Sequence, residues 1–377
     1  MIALEVLLLI LIAGSTVFYG AAAWFTHRFF AAPLSLPPVE NYPPISLLVP
    51  TCGLDAGAWE NWLSLCQQTY PNYEVLFGIV DPQDPAVPTV QELVAKFPDR
   101  VRLYTDLQPR GINHKDSSLS YLLAEAKHEL IVFVDSDIRV IPEYLQIVTA
   151  PLADPQVGMV TCAYIGYEPK FLGAALASLG RCCDFIPGLL IARNLDKGVK
   201  LAIGVTIATR KATLADFGGL HFSRIGSDYN LGKRAAQAGY QVVLSHYVLN
   251  SDTGDESLRQ VFQRELRWAR SIRFNRGLQY YTMAFCYGPV YYLPLLLVSG
   301  FANWAIALCV VNLAIRYAQS LVVIRSMGCP GLLRWLWTLP LRDLLSFAVW
   351  VVGAFGKRVY WRGRYLKIHA DGLLTQE

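Results

Sequence analysis

Two carboxylates one residue apart close the stretch "IVFVDSDIRV", residues 131–140. Asp135 and Asp137 follow an apolar run, and in an extended segment positions i and i+2 point the same way. Converging carboxylates suit a divalent cation, Mg²⁺ or Mn²⁺, which prefers hard oxygen ligands. The same residues also suit a plain turn after a strand, because Asp and Ser favour turns. Asp81 leaves another apolar run in "IVDPQDP", with Asp84 in the same loop. Asp228 opens "SDYNLGKRAAQAGY", either as a helix cap or as something more. In "QRELRW", Arg264 and Arg267 stand at i and i+3 and share a helix face.

These side chains need a scaffold, and the middle of the chain supplies one. "ISLLVP", "YEVLFGIV", "VRLYTD" and "LIVFVD" read as strands, separated by helical "AWENWLSLCQQT", "PTVQELVAKFP" and "KDSSLSYLLAEA". Strand–helix alternation predicts an α/β domain with a mostly parallel sheet and helices on both faces. Such sheets bind ligands at the carboxyl ends of their strands, where Asp81 and Asp135 both lie. Further on, "GMVTCAYIGY" and "QVVLSHYVLNS" read as strands, and "KLAIGVTIATRKATLADFGGL" as a strand followed by a helix. "LRQVFQRELRWARSIRF" reads as a basic amphipathic helix suited to a lipid surface.

Both flanks of this domain are apolar. The chain is 54% hydrophobic, and its mean hydropathy is +0.33. Residues 1–25 carry a single charge, Glu5, and exceed the ~20 apolar residues that span a bilayer core. No Lys or Arg precedes the run, which favours an uncleaved anchor over a signal peptide. His27 and Arg28 follow it, so the positive-inside tendency puts the middle of the chain in the cytoplasm. Residues 282–323 read as two helices meeting near "VSGFANW", and 337–356 as a third. Three full spans would carry the basic tail "KRVYWRGRYLKIH" outward, so a re-entrant or interfacial course for one segment is expected. The resulting division is an N-terminal transmembrane helix (1–26), an α/β domain (40–265), an interfacial helix (266–281), C-terminal membrane helices (282–356) and a basic cytoplasmic tail (357–377). "PPVENYPP" is the linker out of the first helix.

The net charge of +4 does not imply nucleic acid. Much of the Arg and Lys flanks apolar segments, where anionic lipid attracts it. None of the eight Cys forms a C-x-x-C or zinc spacing, so they read as reduced thiols.

Taken in order, "IVDPQDP", "VDSDIRV", "GSDYNLG" and "QRELRW" resemble the D, D, D and (Q/R)-x-x-R-W pattern of membrane-bound family 2-type glycosyltransferases of GT-A fold. Within that group the chain is most similar to the ceramide glucosyltransferases and the bacterial hopanoid glycosyltransferases, supported by "GINHKDSSL" and "VYWRGRYLKI". The likeness covers nearly the whole chain, the anchor by character alone. It implies that Asp81 holds the uracil of a UDP-sugar, with Asp84 the alternative, and that Asp135 contacts the donor. It implies a divalent cation on Asp135 and Asp137. The presence of Asp137 leans towards the bacterial branch. Asp228 is then the general base, against the reading as an ordinary N-cap. The acidic residue that often precedes it is Ser227 here.

The resemblance also assigns Arg264 and Arg267 to the donor pyrophosphate, since the planar guanidinium binds oxyanions bidentately. Trp268 stacks on acceptor or sugar, and Lys115 contacts donor phosphate or ribose. His114 reads as packing, and Arg270 and Arg273 as lipid-headgroup contacts. "WRGR", residues 361–364, either closes the site or anchors at the membrane edge. The implied activity is inverting transfer of a sugar, glucose first, from a UDP-sugar to the hydroxyl of a membrane lipid, ceramide first. A UDP-N-acetylglucosamine-dependent hopanoid glycosyltransferase is the alternative. A processive polysaccharide synthase and a non-catalytic nucleotide- or lipid-binding membrane protein are the rivals.

Overall fold

Strands buried on both faces are written as continuous apolar runs rather than alternating ones, and that is how the first four strands read. The computed structural model describes residues 2–33, 42–55, 57–361, 363–370 and 372–376. β1 (Ile45–Thr51), β2 (Tyr73–Ile79), β3 (Val101–Tyr104) and β4 (Leu130–Val134) lie parallel, connected by helices at Ala58–Cys66, Ala86–Lys96 and His114–Glu125. Every residue of β2 and β4 is buried. β5 (Ile138–Arg139), β6 (Val157–Gly166), β7 (Thr206–Arg210) and β8 (Gln241–Ser251) complete one eight-stranded sheet in the order β3-β2-β1-β4-β7-β6-β8-β5. β7 runs antiparallel to β4 and β6, and β5 to β8; the other neighbours are parallel. The mostly parallel α/β sheet expected from the alternation is present. Most of the linker "PPVENYPP" lies outside the described residues.

Among the described residues, four helices are long and apolar enough to cross a membrane: Ile2–Phe30, Leu172–Leu195, Asn303–Ser326 and Pro330–Gly353. The second was not anticipated. It is inserted between β6 and β7, and Arg181 and Asp184 interrupt its apolar run, which hides it from a pattern search. It is built as a helix Leu172–Gly180, a π-turn Arg181–Phe185 and a helix Ile186–Leu195. Of the two helices expected over 282–323, the second is Asn303–Ser326. The first is a broken course in which Leu258–Cys286 and Gly288–Val298 meet at 68°. Counted as one span, that bent pair would make five.

Exposed apolar side chains such as Leu7, Val17, Trp24, Val310, Val311 and Leu344 cover the outer faces of the long helices. Their inner faces hold charge. Arg316, fully buried, bonds to Asp343 at 2.6 Å and Asp184 at 2.7 Å, and Arg342 bonds to Glu265 at 2.8 Å. The tail is a three-stranded antiparallel sheet of β9 (Arg358–Trp361), β10 (Arg364–Ile368) and β11 (Leu374–Gln376). It buries Val359, Leu366, Ile368 and Leu374 against Ile225. All eight cysteines are unbridged.

Candidate active site

The carboxyl ends of β2 and β4 flank that of β1, which brings the Asp81 and Asp135 loops to one rim of the sheet. In the first loop the two candidates separate. The Asp84 carboxylate accepts hydrogen bonds from the backbone N–H of Gly53 (2.9 Å) and Ala86 (2.9 Å), so it serves the loop itself. The Asp81 carboxylate accepts from the N–H of Gln83 at 2.8 Å and is exposed.

β4 ends at Val134, and Asp135 to Asp137 form a turn rather than an extended strand. The i, i+2 strand argument therefore does not apply. The two carboxylates still meet one cavity, because the turn folds over Trp62, whose indole N–H donates to the Ser136 carbonyl at 2.9 Å. Asp137 accepts from the Ser251 hydroxyl at 3.1 Å. Asp135 takes an ion pair from Lys115.

Asp228 is not an N-cap. The cap of the Ser227–Gln237 helix is Gly226, in the left-handed region at φ 60°, and no side chain caps it. Asp228 lies in the first turn, accepting from the N–H of Tyr229 at 2.8 Å and of Gly204 at 3.0 Å. A carboxylate there also gains from the helix dipole. The Gly204 carbonyl in turn accepts from Lys115 Nζ at 2.8 Å. Asp135, Lys115, Gly204 and Asp228 thus form one continuous chain of bonds.

The Leu258–Arg276 helix starts in a capping box of Ser257 and Gln260. Arg267 and Trp268 line the cavity, and the Arg267 guanidinium lies 5.2 Å from the Trp361 ring centroid. Arg264 goes elsewhere: it pairs with Glu256, lies over Trp268 at 5.3 Å and is not among the cavity-lining residues. Helical side chains lean towards the N-terminus, which carries Arg264 back to Glu256 although it shares a face with Arg267. Arg270 and Arg273 bond to backbone carbonyls of Phe355, Gly356 and Arg358. They hold the root of the tail sheet.

The tail itself returns to the site. Arg364 donates to the Ile112 carbonyl at 3.0 Å and meets His114 Nε2 at 3.1 Å, so His114 is a docking point for the tail. Backbone bonds from Ile225 to Gly372 (3.0 Å) and from Leu374 to Ser223 (2.8 Å) seat the small sheet beside Asp228. Of "WRGR", Trp361 reaches the cavity, and Arg362 is outside the described residues.

Asp81, Lys115, Asp135, Asp137, Asp228, Arg267 and Trp268 all border a single cavity of about 1280 Å³. Towards the long helices its wall becomes apolar, with Phe18, Leu189, Met283, Tyr287 and Trp350. Its polar end is strongly coupled. Burial pushes Asp137 up to about 6, and the adjacent Asp135 adds to the shift. Burial pushes Asp116 up to about 7, helped by Asp228 and Asp135 and opposed by a hydrogen bond to Ser227 and by Lys115. Burial disfavours the charged Lys115, but Asp135 and Asp228 more than offset it and raise its pKa above the usual lysine value.

Three neighbours escaped the sequence reading. Asp116 follows Lys115 directly in "NHKDS" and bonds to Asn113 at 2.6 Å. Arg181 and Asp184 reach the cavity from the unanticipated helix. The tail sheet did leave a signal, the alternation of Val359 with Trp361 and of Leu366 with Ile368 around Gly363, masked by its basic composition.

Known proteins resemble the chain in sequence and in shape. It is 22% identical over 259 residues to "Ceramide glucosyltransferase 1" of Caenorhabditis elegans, covering 65% of this chain and 53% of that protein. To "Ceramide glucosyltransferase 3" of the same organism it is 24% identical over 247 residues, covering 61% and 51%. The chain therefore spans about half the length of these curated relatives. Among solved structures, the mannosyltransferase PcManGT from Pyrobaculum calidifontis, in complex with GDP-Man and Mn²⁺, superposes with a TM-score of 0.54 at 19% identity, covering 93% of this chain and 99% of that one. The likeness extends to the GT-A-type fold. The family described as "Glycosyl transferase family 21" matches residues 7–374.

Proposed function

The chain belongs to glycosyl transferase family 21, and from that premise we propose that it is an inverting lipid glycosyltransferase. It transfers a sugar, glucose first, from a UDP-sugar to the hydroxyl of a membrane lipid, ceramide first. The observation that carries this reading is the bonded chain Asp135–Lys115–Gly204–Asp228, which holds two carboxylates in one cavity with Arg267 and Trp268; we read Asp135 as donor-side and Asp228 as acceptor-side. The apolar wall of that cavity suits a lipid, and the ceramide glucosyltransferases among its relatives favour ceramide.

In this reading Asp81 faces the base of the nucleotide. Asp228 takes the proton of the acceptor hydroxyl as its oxygen bonds to the anomeric carbon. The bond from that carbon to the diphosphate breaks on the opposite face, so configuration inverts, and UDP leaves with the electron pair. Arg267 stabilises the charge that develops on the diphosphate, and Trp361 holds the guanidinium in place. Trp268 packs on the sugar or the acceptor. Arg264, held by Glu256, supports the helix instead of the donor.

Asp135 and Asp137 fit a divalent cation bound by two carboxylates, with phosphate oxygens and water completing the set. The Lys115 ammonium already lies against Asp135, and Asp137 resists a second negative charge beside it. Among the described residues no cluster of three or more His, Cys, Asp or Glu could hold an ion alone, which leaves a role for the donor's phosphates. When bound, such an ion would neutralise charge on the leaving diphosphate. The catalytic domain lies on the cytoplasmic side, where a UDP-sugar is available.

The test is mass spectrometry of lipids from cells expressing the chain or Asp228→Asn, alongside UDP binding to the purified proteins. The wild type yields a hexosylated lipid, and the variant yields none while still binding UDP. A glycolipid that persists in the variant removes Asp228 from the chemistry.

A further inference from the structure

Arg181 is a buried cation that forms no direct ion pair among the described residues. It is 9% exposed, and its Nε has no hydrogen-bond partner. Other arginines bordering the same cavity are committed: Arg342 to Glu265 at 2.8 Å and Arg276 to Asp196 at 3.0 Å. Burying a guanidinium without a bonded anion is unfavourable, so a fold that keeps one gains something from it elsewhere.

Its surroundings indicate what. Arg181 begins the π-turn Arg181–Phe185, a type of local widening frequent at functional sites. Its Cζ lies 5.2 Å from the Tyr164 ring centroid, a contact that fixes the plane of the guanidinium. It borders the main cavity and is close enough to Asp137 to oppose that group's raised pKa. Its influence on Asp137 puts it at the carboxylate end of the cavity.

We propose that Arg181 is a donor-binding residue that takes the diphosphate oxygens of the nucleotide, from a helix inserted between β6 and β7 rather than from the helix that carries Arg267. A planar, always-charged guanidinium matches two phosphate oxygens at once. This assignment rests on the cavity holding a nucleotide-sugar.

The test titrates full-length protein in detergent, without acceptor lipid and at saturating Mn²⁺, with UDP, GDP and uridine. Wild type, Arg181→Met and Arg181→Lys are compared by calorimetry. Arg181→Met weakens UDP at least tenfold and leaves uridine within twofold, and Arg181→Lys recovers part of the loss. Retained uridine binding reports an intact fold. An unchanged ratio of UDP to uridine affinity in Arg181→Met overturns the proposal, as does equal loss of both ligands. A change only in the Mn²⁺ midpoint also overturns it, assigning the arginine to Asp137. An effect seen only in phospholipid vesicles, with UDP binding in detergent unaltered, assigns it to a lipid phosphate and overturns it likewise. Preference for GDP over UDP would sink the uracil assignment, while the diphosphate-to-nucleoside comparison, made with GDP and guanosine, would still read Arg181.

Discussion

Gly204 links the two acidic centres, and replacing it with alanine tests whether their geometry governs the rate. Its N–H donates to Asp228 Oδ2 at 3.0 Å, and its carbonyl accepts from Lys115 at 2.8 Å. Its φ is not in the left-handed region, so alanine meets no backbone strain there. Space is the obstacle. An added Cβ would lie 2.6 Å from Asp228 Oδ2 and 3.1 Å from its Cβ and Cγ. Ordinary contact begins at 3.4 Å, so the carboxylate must retreat by about 0.8 Å. Misplacing a reacting group by about 1 Å costs up to ~10²-fold in rate, and a loss of roughly tenfold to hundredfold is expected, or about 1.4–2.7 kcal/mol of transition-state stabilisation. The assay is kcat in mixed micelles at saturating UDP-sugar and lipid, with UDP affinity measured alongside. Because the carbonyl still serves Lys115, UDP affinity should stay close to wild type. A kcat within twofold of wild type, with Asp228→Asn inactive, would refute geometric control of Asp228 by Gly204. A fall in UDP affinity that matches the fall in kcat would move Gly204 to the donor pocket.

Glu265→Met leaves Arg342 buried without its main partner, a loss of about 3–5 kcal/mol, read as a lower melting temperature in detergent; the double variant with Arg342→Met recovers most of it. Asp116 carries a pH signature. Its proton is held to about 7 in the fold but released in the usual carboxylate range when unfolded, so wild-type stability falls as pH rises between those values and is flat above. The stability of Asp116→Asn relative to wild type should therefore climb across that window, as melting scans at pH 5 and pH 8 with chelator present would record. Trp361→Ala removes the ring against Arg267, a cation–π contact of roughly 0.5–2 kcal/mol, and should slow transfer about 2- to 30-fold in initial-rate assays.

What the sequence reveals of the site depends on whether the cue is local. The "VDSD" turn, the Asp81 loop and the "QRELRW" helix are short segments whose apolar flanks announce them, and all three lie at the cavity rim or its wall. Asp228 illustrates the limit of local reading, since Asp near a helix start reads first as a cap. Only the left-handed Gly226 just before that helix, together with the bond from Gly204, distinguishes it. Arg264 illustrates the opposite failure. Its partner Glu256 lies before the helix, and a helical wheel does not show which way a long side chain leans.

The larger omission was the Leu172–Leu195 helix, and its cause is physical. A span carrying Arg181 and Asp184 is penalised as a membrane segment unless partners await it. Those partners come from distant parts of the chain: Asp184 meets Arg316 of the Asn303–Ser326 helix and Arg342 of the Leu339–Gly353 helix. Arg342 also grips Glu265, inside the "QRELRW" segment itself. Asp184, Arg316 and Arg342 each look out of place in their own apolar runs and are satisfied only in the assembled bundle. The pairing ties the helix that carries Arg267 and Trp268 to two long apolar helices through groups that cannot slide past one another without breaking buried ion pairs. The position of the arginine–tryptophan helix against Asp135 and Asp228 is thus set from the long apolar helices as well as from the sheet, as the proposed transfer between a water-soluble donor and a lipid would require.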